Sequence, residues 1–183
     1  MPTPYLIPLI GFAGGKYSGK STAARGLRKR QGYRILSFAD PLRKMVKALG
    51  IPSPYYMTKK DSVIPGYGCS ARHILQTLGT DWGRAQVSET IWLDHMQRRI
   101  EALKQPCKVV IDDVRFDNEA RLIKNLDGLV IKIERGDTPS DSHVSERGIS
   151  DDLVDIVIEN QGTVTDLGLV VEEIARDRSL LSG

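Results

Sequence analysis

The fold is decided by residues 9–22, which read LIGFAGGKYSGKST. Residues 9–12 form a short apolar run of the kind that becomes a buried β-strand, and a glycine-rich loop follows them directly. Residues 21–31 then predict a helix, which Gly32 ends because glycine readily adopts the left-handed conformation that closes helices. A strand, a glycine loop and a helix in this order predict an α/β fold.

The loop carries the complete pattern G-x-x-x-x-G-K-[ST] from Gly14 to Ser21. Glycines let backbone N–H groups curl around phosphate oxygens, and the N-terminus of the following helix adds its positive dipole end. The lysine supplies a cation for β- and γ-phosphates, and the hydroxyl after it suits Mg²⁺. We therefore predict an ATP-type triphosphate site formed by Gly14, Gly15, Lys16, Ser18, Gly19, Lys20, Ser21 and Thr22.

Short apolar runs alternate with helical patterns along the rest of the chain, which predicts a parallel sheet covered by helices on both faces. Further strands are predicted at 34–39, 108–111, 129–133 and 154–158. Further helices are predicted at 40–49, 70–79, 88–104, 118–126 and 164–177. Residues 51–69 are rich in proline and glycine and predict a long loop.

Composition and charge exclude several classes of protein. The 183 residues are 40% hydrophobic and 27% charged, as in one globular domain. We expect no membrane association, because no apolar run approaches the ~20 residues of a spanning helix, and no signal peptide pattern is present. Cys69 and Cys107 have neither metal-ligand nor disulfide spacing, so we expect reduced thiols in a cytoplasmic protein.

The charge is unevenly distributed, although the net value of +3 is too small to indicate nucleic-acid binding by itself. Residues 16–47 carry ten lysines and arginines against one acid, whereas residues 137–177 carry eleven acids against two arginines. The charge alone would fit a pair of solvated helix faces, but together with the glycine loop it predicts a basic N-terminal surface that receives a polyanion. No stable complex with nucleic acid is expected.

Two further sets of residues indicate phosphoryl transfer. The strand at 108–111 leads into Asp112 and Asp113, and one acid beside the glycine loop commonly helps to hold Mg²⁺ with a residue such as Ser21. The sequence does not choose between the two aspartates. Five arginines fall near the ends of predicted elements and suggest an acceptor that itself carries a phosphate; they are Arg43, Arg72, Arg84, Arg115 and Arg135.

Several segments together resemble one enzyme family. They are SFADPLR at 37–43, RHILQTLGT at 72–80, DVRF at 113–116 followed by NEA at 118–120, HVSE at 143–146 and NQG at 160–162. In this combination the chain resembles the bacteriophage-type deoxynucleoside monophosphate kinases, within the P-loop nucleoside monophosphate kinases. The resemblance covers nearly the whole chain, and the patterns R-x-x-L-Q-x-x-G-T and D-V-R-F-x-N-E-A are its most specific parts.

The resemblance implies a three-layer P-loop kinase fold in a single domain over residues 1–183, with an acceptor-binding helical region at about 40–105 and a lid at about 136–152. It implies Mg²⁺ and transfer of the γ-phosphate of ATP to a deoxynucleoside 5′-monophosphate. The implied catalytic residues are Lys20, Arg115 and Arg135. The implied acceptor residues are Asp40, Arg43, Arg72, Gln76, Arg84 and Arg115, with His143 and Glu146 in the lid.

Other functions remain open at this stage. The segment 160–163 also occurs in dephospho-coenzyme A kinases, so a kinase of another small phosphorylated metabolite is an alternative. A nucleotide-dependent protein acting on nucleic acid is a second one, although the chain has no second recognition domain and no N-K-x-D base motif. The sequence does not determine which bases are accepted or the oligomeric state, and a homodimer is possible. If the enzyme is phage-encoded, we expect it in the host cytoplasm.

Overall fold

A computed structural model describes residues 7–103, 106–136, 148–177 and 179. The chain folds as two compact units, a core unit of Met1–Ser37 with Gln97–Gly183 and a helical unit of Phe38–Met96. Most of the predicted lid, including His143 and Glu146, lies outside the described residues. The single domain with its acceptor-binding and lid regions stays a prediction.

The core unit is built on a parallel sheet. Within the described residues its five strands are β1 (Leu9–Ala13), β2 (Arg34–Leu36), β3 (Val109–Val114), β4 (Leu129–Glu134) and β5 (Ile156–Glu159). Their order is β2-β3-β1-β4-β5, and every neighbouring pair is parallel. This confirms the predicted sheet and places the end of β1, where the glycine loop starts, at the middle of the carboxyl edge.

The helices follow the predicted alternation. They are α1 (Lys20–Gln31), α2 (Asp40–Ala48), α3 (Ser53–Met57), α4 (Ala71–Gln76), α5 (Ile91–Glu101), α6 (Asp117–Asn125) and α7 (Val164–Ile174), with a π-helix at Thr77–Val87 and a 3₁₀ helix at Asp151–Leu153. In the core unit, α1 and α7 pack on one face of the sheet, where Leu27 and Leu167 are buried with Phe12. Helix α6 covers the opposite face, since its Ile123 lies against Gly11.

The structure corrects several predicted boundaries. Strand β2 ends at Leu36 rather than at residue 39, and β3 continues to Val114, so both aspartates belong to the strand. A register shift between β1 and β3 falls at these aspartates: Gly11 pairs with Ile111 and Ala13 with Val114. The strand therefore bulges at Asp112 and Asp113, a device that re-aims side chains near functional sites.

The helical unit shows the largest departures from the sequence analysis. The predicted loop 51–69 contains α3, because a proline in the first turn of a helix costs no hydrogen bond. The helix predicted at 70–79 ends as α-helix at Gln76 and continues as a π-helix to Val87. A local core of Val46, Ile51, Tyr56, Ile64 and Ala71 holds the unit together.

Among the described residues, no helix combines the length and the apolarity that crossing a membrane requires.

Trp92 fixes the path of the π-helix. Its indole Nε1 donates a hydrogen bond of 2.8 Å to the carbonyl oxygen of Gly79, and its ring lies so close to Gly83 that a Cβ there would stand 2.5 Å from Cζ2. Because the ring is buried, it has little room to move away.

We expect Gly83→Ala to lower the free energy of unfolding by about 1–3 kcal/mol, the usual cost of overpacking a buried contact. Denaturant titration followed by circular dichroism measures this loss. Gly26→Ala is the matched control, since the nearest atom to its added Cβ is 4.0 Å away; it should leave stability unchanged or raise it by up to about 1 kcal/mol. Equal stability of the two variants would contradict the close packing against Trp92.

Asp117, at the start of α6, holds the segment that leads into β5. Its Oδ1 accepts the backbone N–H of Ser150 at 2.8 Å, and its Oδ2 accepts the hydroxyl of Ser150 at 2.7 Å. These two hydrogen bonds, the backbone one first, lower the pKa of the Asp117 carboxyl below its ordinary value of 3.8. The charged carboxylate therefore stabilises the folded state above about pH 4, and this contribution disappears as the pH falls through the folded pKa.

Asp117→Asn should reduce the free energy of unfolding at pH 7, and the difference from the unchanged protein should shrink below about pH 4. Urea unfolding at pH 7 and at pH 2.5 measures both differences. Asp152→Asn, at an exposed carboxyl of the 3₁₀ helix, serves as the control. A difference for Asp117→Asn that is the same at both pH values would contradict the stabilising role of its charge.

Candidate nucleotide-binding site

The glycine loop between β1 and α1 takes a path that two of its glycines make possible. Gly14 has a φ of 130°, and a Cβ there would lie 2.1 Å from the carbonyl oxygen of Ile133 in the neighbouring strand. Gly19 has a φ of 114°, and its Cβ would lie 2.7 Å from Nδ2 of Asn160. Any other residue at Gly14 would push the loop away from β4, and at Gly19 it would strain the backbone and crowd the Asn160 side chain.

Lys20 lies against the loop that it follows. Its Nζ donates hydrogen bonds to the carbonyl oxygens of Gly14, at 2.7 Å, and of Gly15, at 2.5 Å, and lies 3.4 Å from the hydroxyl of Ser18. The ammonium group thus stands where the loop curls, at the N-terminus of α1. This places one cation beside the backbone N–H groups at the start of α1, the arrangement that binds a phosphate.

The other predicted residues of the loop have different surroundings. Lys16 places its Nζ 5.1 Å from the ring centre of Tyr17, an exposed residue with a φ of 65°. Thr22 lies in the first turn of α1 and accepts a hydrogen bond of 3.2 Å from Arg25. Positive φ at a non-glycine residue is uncommon and is concentrated at functional sites, so the position of Tyr17 agrees with a binding loop.

Asn160, the residue after β5, holds the glycine loop in place. Its Nδ2 donates a hydrogen bond of 2.8 Å to the carbonyl oxygen of Ser18, and both residues are buried. This contact joins the residue after β5 to the centre of the loop. Asn160 was not among the predicted site residues, and its only signal in the sequence was its place in the segment NQG.

Asp112 connects three elements of the core unit. Its Oδ2 accepts the hydroxyl of Ser21 at 3.0 Å, and its Oδ1 accepts the hydroxyl of Ser37 at 2.5 Å. Of the two predicted aspartates, Asp112 is thus the one in contact with the serine of the loop, while Asp113 shares the same bulge. Ser37 is buried and was not among the predicted site residues, although it opens the segment SFADPLR.

The oxygens of Ser21 and Asp112 fit a magnesium ion. Mg²⁺ prefers hard oxygen ligands, keeps several waters and needs only one or two carboxylates when phosphates supply the other ligands. Among the described residues there is no cluster of three His, Cys, Asp or Glu side chains that would form a complete metal site on its own. The donor set therefore suits an ion that arrives with a phosphate ligand.

Arg115 is held at the turn between β3 and α6. Glu119, which is 2% exposed, accepts the backbone N–H of Arg115 at 2.8 Å and that of Phe116 at 3.3 Å with one carboxylate oxygen. A buried carboxylate that satisfies two backbone donors fixes the turn and therefore the origin of the Arg115 side chain. The role of Glu119 explains why the pattern D-V-R-F-x-N-E contains a glutamate.

A cavity of about 410 Å³ adjoins the glycine loop on the side of β4 and β5. It is lined by Gly14, Gly15, Lys132, Glu134, Arg135, Gly136, Glu159 and Gln161. Its volume falls in the range of small-molecule sites. Lys132 pairs with Glu134 and Asp151 at 2.9 Å each, and these hydrogen bonds raise the pKa of its ammonium. Arg135 therefore shares a cavity wall with the loop that is predicted to bind phosphate.

The predicted acceptor residues of the helical unit are held in place by pairs. Arg43 donates from Nη1 to Oδ1 of Asp40 at 3.0 Å, and Arg72 donates from Nε to Oδ1 of Asp61 at 2.5 Å. Arg84 approaches the carbonyl oxygen of Glu89 at 3.5 Å. Asp61 was not among the predicted site residues; it lies in the predicted loop, eleven residues before Arg72.

Two of these residues carry buried polar atoms with no hydrogen-bond partner in the described part of the chain, namely Nε of Arg43 and Nε2 of Gln76. Buried donors without partners are rare in folded proteins and each calls for an explanation. A polar ligand that reached the helical unit would supply the acceptors that these donors need.

Comparisons with known proteins identify the family. A family model described as deoxynucleotide monophosphate kinase matches residues 57–171. A protein of Acanthamoeba polyphaga mimivirus, named for deoxynucleotide monophosphate kinase activity, is 41% identical over 173 residues, which cover 85% of this chain and 90% of that protein. The deoxynucleoside-5′-monophosphate kinase of Escherichia phage T5 is 39% identical over 88 residues, 44% of this chain and 35% of that protein.

The shikimate kinase of Acinetobacter baumannii, solved in complex with shikimate, matches the structure with a TM-score of 0.50 at 16% identity, over 92% of each chain. At this identity the likeness shows the fold alone, and that fold is the P-loop kinase fold. The family model and the mimivirus protein show that this chain is a nucleotide kinase and belongs to the deoxynucleotide monophosphate kinase family.

Proposed function

We propose that this enzyme transfers the γ-phosphate of ATP to a deoxynucleoside 5′-monophosphate, giving a deoxynucleoside diphosphate and ADP. The observation that carries the proposal is the joint placement of Lys20, Ser21 and Asp112 at the N-terminus of α1, beside a loop whose glycines bring backbone N–H groups together. Membership of the family supports the choice of a deoxynucleoside monophosphate as the acceptor.

On the donor side, the glycine loop binds the β- and γ-phosphates of ATP. When ATP binds, Nζ of Lys20 leaves the carbonyl oxygens of Gly14 and Gly15 and donates to phosphate oxygens instead. It does so because a phosphate carries a full negative charge and a carbonyl only a dipole. Lys16 and Thr22 extend the same site along the loop and into the first turn of α1. The cavity beside Gly14 and Gly15, with the Gln161 amide in its wall, is the place that we assign to the nucleoside of the donor.

Ser21 and Asp112 would hold the magnesium ion of the ATP complex through their oxygens, with Asp113 beside them in the bulge. When bound, the ion neutralises charge on the β- and γ-phosphates and so favours approach of a second anion. Ser37 keeps the Asp112 carboxylate oriented, because its hydroxyl donates to the oxygen that Ser21 does not bind.

On the acceptor side, we assign the phosphate of the monophosphate to Arg43, Arg72 and Arg115. A planar guanidinium can grip a phosphate through two parallel hydrogen bonds. Asp40 orients Arg43 through their ion pair. Gln76 and Arg84 are assigned to the nucleoside, and the buried Nε2 of Gln76 provides a donor for it.

The reaction needs positive charge more than covalent chemistry. An oxygen of the acceptor phosphate forms a new bond to the γ-phosphorus, and the bond from that phosphorus to the bridging oxygen of ADP breaks. Negative charge then collects on the transferring group and on the leaving oxygen. We assign the stabilisation of this negative charge to the cationic side chains of Lys20, Arg115 and Arg135.

A panel of acceptors tests the proposed function. The enzyme, ATP and Mg²⁺ are incubated separately with the four deoxynucleoside monophosphates, their ribose counterparts and dephospho-coenzyme A, and the products are separated by ion-exchange chromatography. We expect diphosphate and an equal amount of ADP from at least one deoxynucleoside monophosphate. Phosphorylation of dephospho-coenzyme A alone, or ATP hydrolysis without a new phosphorylated product, would contradict the proposal.

Removal of the loop lysine tests the donor site. Lys20→Ala should lower kcat by at least about 100-fold at saturating ATP, the loss that follows removal of one preorganised electrostatic group. Lys29→Ala is the matched control, because Lys29 lies in the same helix and is exposed. The kcat of this variant should stay within about twofold of the unchanged enzyme, since substitutions at exposed positions have small effects. Near-normal turnover in Lys20→Ala would contradict the assignment of the loop.

Arg72 provides the corresponding test of the acceptor site. Arg72→Lys keeps the charge but loses the planar fork, so the KM for the deoxynucleoside monophosphate should rise about 10-fold or more. The affinity for ATP, measured by calorimetry without acceptor, should not change. Arg98→Lys, at an exposed position of α5, controls for the substitution itself. Equal weakening of ATP and of acceptor, or no change in either, would show that Arg72 is not an acceptor residue.

A further inference from the structure

Helix α4 and the π-helix form one continuous helix in which every fourth residue faces the interior of the helical unit. Ala71 and Leu75 pack in the local core. Gly79 and Gly83 continue this inward row, since a Cβ would lie 3.1 Å from Leu42 at the first and 2.5 Å from Trp92 at the second. The two glycines let neighbouring side chains approach the helix closely.

A straight row with a spacing of four is not what an α-helix gives. Four residues of an α-helix turn by about 400°, so each step moves a row about 40° around the axis. Hydrogen bonds from residue i to i+5 give a π-helix about 4.4 residues per turn, and four residues then fall about 33° short of a full turn. The row rotates in one direction around the axis along α4 and in the opposite direction along the π-helix. The two rotations compensate, so that the row stays on one face of the helix.

The row one residue further on is polar and consists of Arg72, Gln76, Thr80 and Arg84. All four are half-buried, whereas in the next row only Thr77 is half-buried and the other three residues, His73, Asp81 and Ala85, are exposed. In an α-helix of the same length, Arg84 would be turned about 120° away from Arg72. The π-helix therefore has a definite consequence for this chain: it aligns two cations and two neutral hydrogen-bonding groups along one side of the helical unit.

Thr80 is the member of this polar row that has no part in the proposed reaction so far. Threonine in a helix commonly bonds the carbonyl three or four residues back. Its hydroxyl here makes no hydrogen bond to any residue in the described part of the chain. Its neighbour in the row, Gln76, has its Nε2 buried without a partner as well. The centre of the polar row thus presents two neutral groups that lack partners.

We propose that Thr80 is a specificity-determining residue, whose hydroxyl binds the nucleoside part of the acceptor beside Gln76. The proposal rests on the proposed function. The order along the row carries the assignment: Arg72 at one end suits a phosphate, whereas the amide of Gln76 and the hydroxyl of Thr80 suit the neutral oxygens and nitrogens of a deoxyribose or a base. Thr80 lies four residues beyond Gln76 and eight beyond Arg72, on the nucleoside side of the phosphate.

Two substitutions at Thr80 separate the hydroxyl from the shape of the side chain. Thr80→Val replaces the hydroxyl by a methyl group of similar size, and Thr80→Ser keeps the hydroxyl. The KM for each deoxynucleoside monophosphate and the KM for ATP are measured for both. Thr77→Val is the matched control, since Thr77 lies in the same π-helix but in the row of His73 and Asp81. Circular dichroism checks that each variant folds.

We expect Thr80→Val to raise the acceptor KM about 3- to 10-fold, the effect of one lost neutral hydrogen bond, with the KM for ATP unchanged. Thr80→Ser and Thr77→Val should stay within about twofold. An equal rise for all four acceptors assigns the hydroxyl to the deoxyribose and a base-dependent rise assigns it to the base, and both support the proposal. An unchanged acceptor KM in a folded Thr80→Val, or an equal rise in the KM for ATP, would overturn it.

The same assay distinguishes the two proposals. If the unchanged enzyme phosphorylates no deoxynucleoside monophosphate, the proposed function fails, and the role of Thr80 fails with it. If the unchanged enzyme is active and Thr80→Val has the same acceptor KM, only the role of Thr80 is wrong.

Discussion

The carboxylate of Asp112 is the point on which the arrangement of the core unit depends. It accepts hydrogen bonds from Ser21 at the start of α1 and from Ser37 just after β2, while it belongs to β3 itself. These contacts require β3 to lie between β1 and β2, which is the strand order observed. The bulge at the same place lets the carboxylate reach both hydroxyls without leaving the sheet. The oxygen that we propose for magnesium binding is thereby held in place by the sheet and needs no loop of its own.

The sequence predicted the sheet and the glycine loop because both depend on local patterns. The apolar runs at 9–12, 108–111 and 129–133 have the length and composition of buried strands, and the loop motif is contiguous. The roles of Ser37 and Asn160 were not predictable in this way. Ser37 lies 75 residues from Asp112, and Asn160 lies 142 residues from Ser18. Only the fold brings such pairs together, so their residue types alone carried no signal beyond the family segments.

The π-helix was missed for a different reason. Helix prediction from sequence assumes a repeat of 3.6 residues, and the inward row Ala71, Leu75, Gly79 and Gly83 has a repeat of four. Two of its members are glycines, which give no hydrophobic signal, so the predicted helix ended at residue 79. Trp92 supplies what the glycines lack, since its ring fills the space beside Gly83 and its indole bonds Gly79. The packing partner of the helix thus lies outside the segment that a local pattern examines.

The two halves of the proposed reaction place different demands on the chain. The donor half needs backbone N–H groups, one lysine and two oxygens, and a loop of eight residues with Asp112 satisfies it. The acceptor half must distinguish one small phosphorylated molecule from others, which takes side chains of defined charge at defined spacing. The family model matches residues 57–171, which include Arg72, Gln76 and Arg115 but neither the glycine loop at 14–21 nor Arg43. On the proposed mechanism, discrimination among acceptors therefore depends on side chains outside the glycine loop, such as Arg72, Gln76 and Arg115, because the loop itself recognises only phosphate.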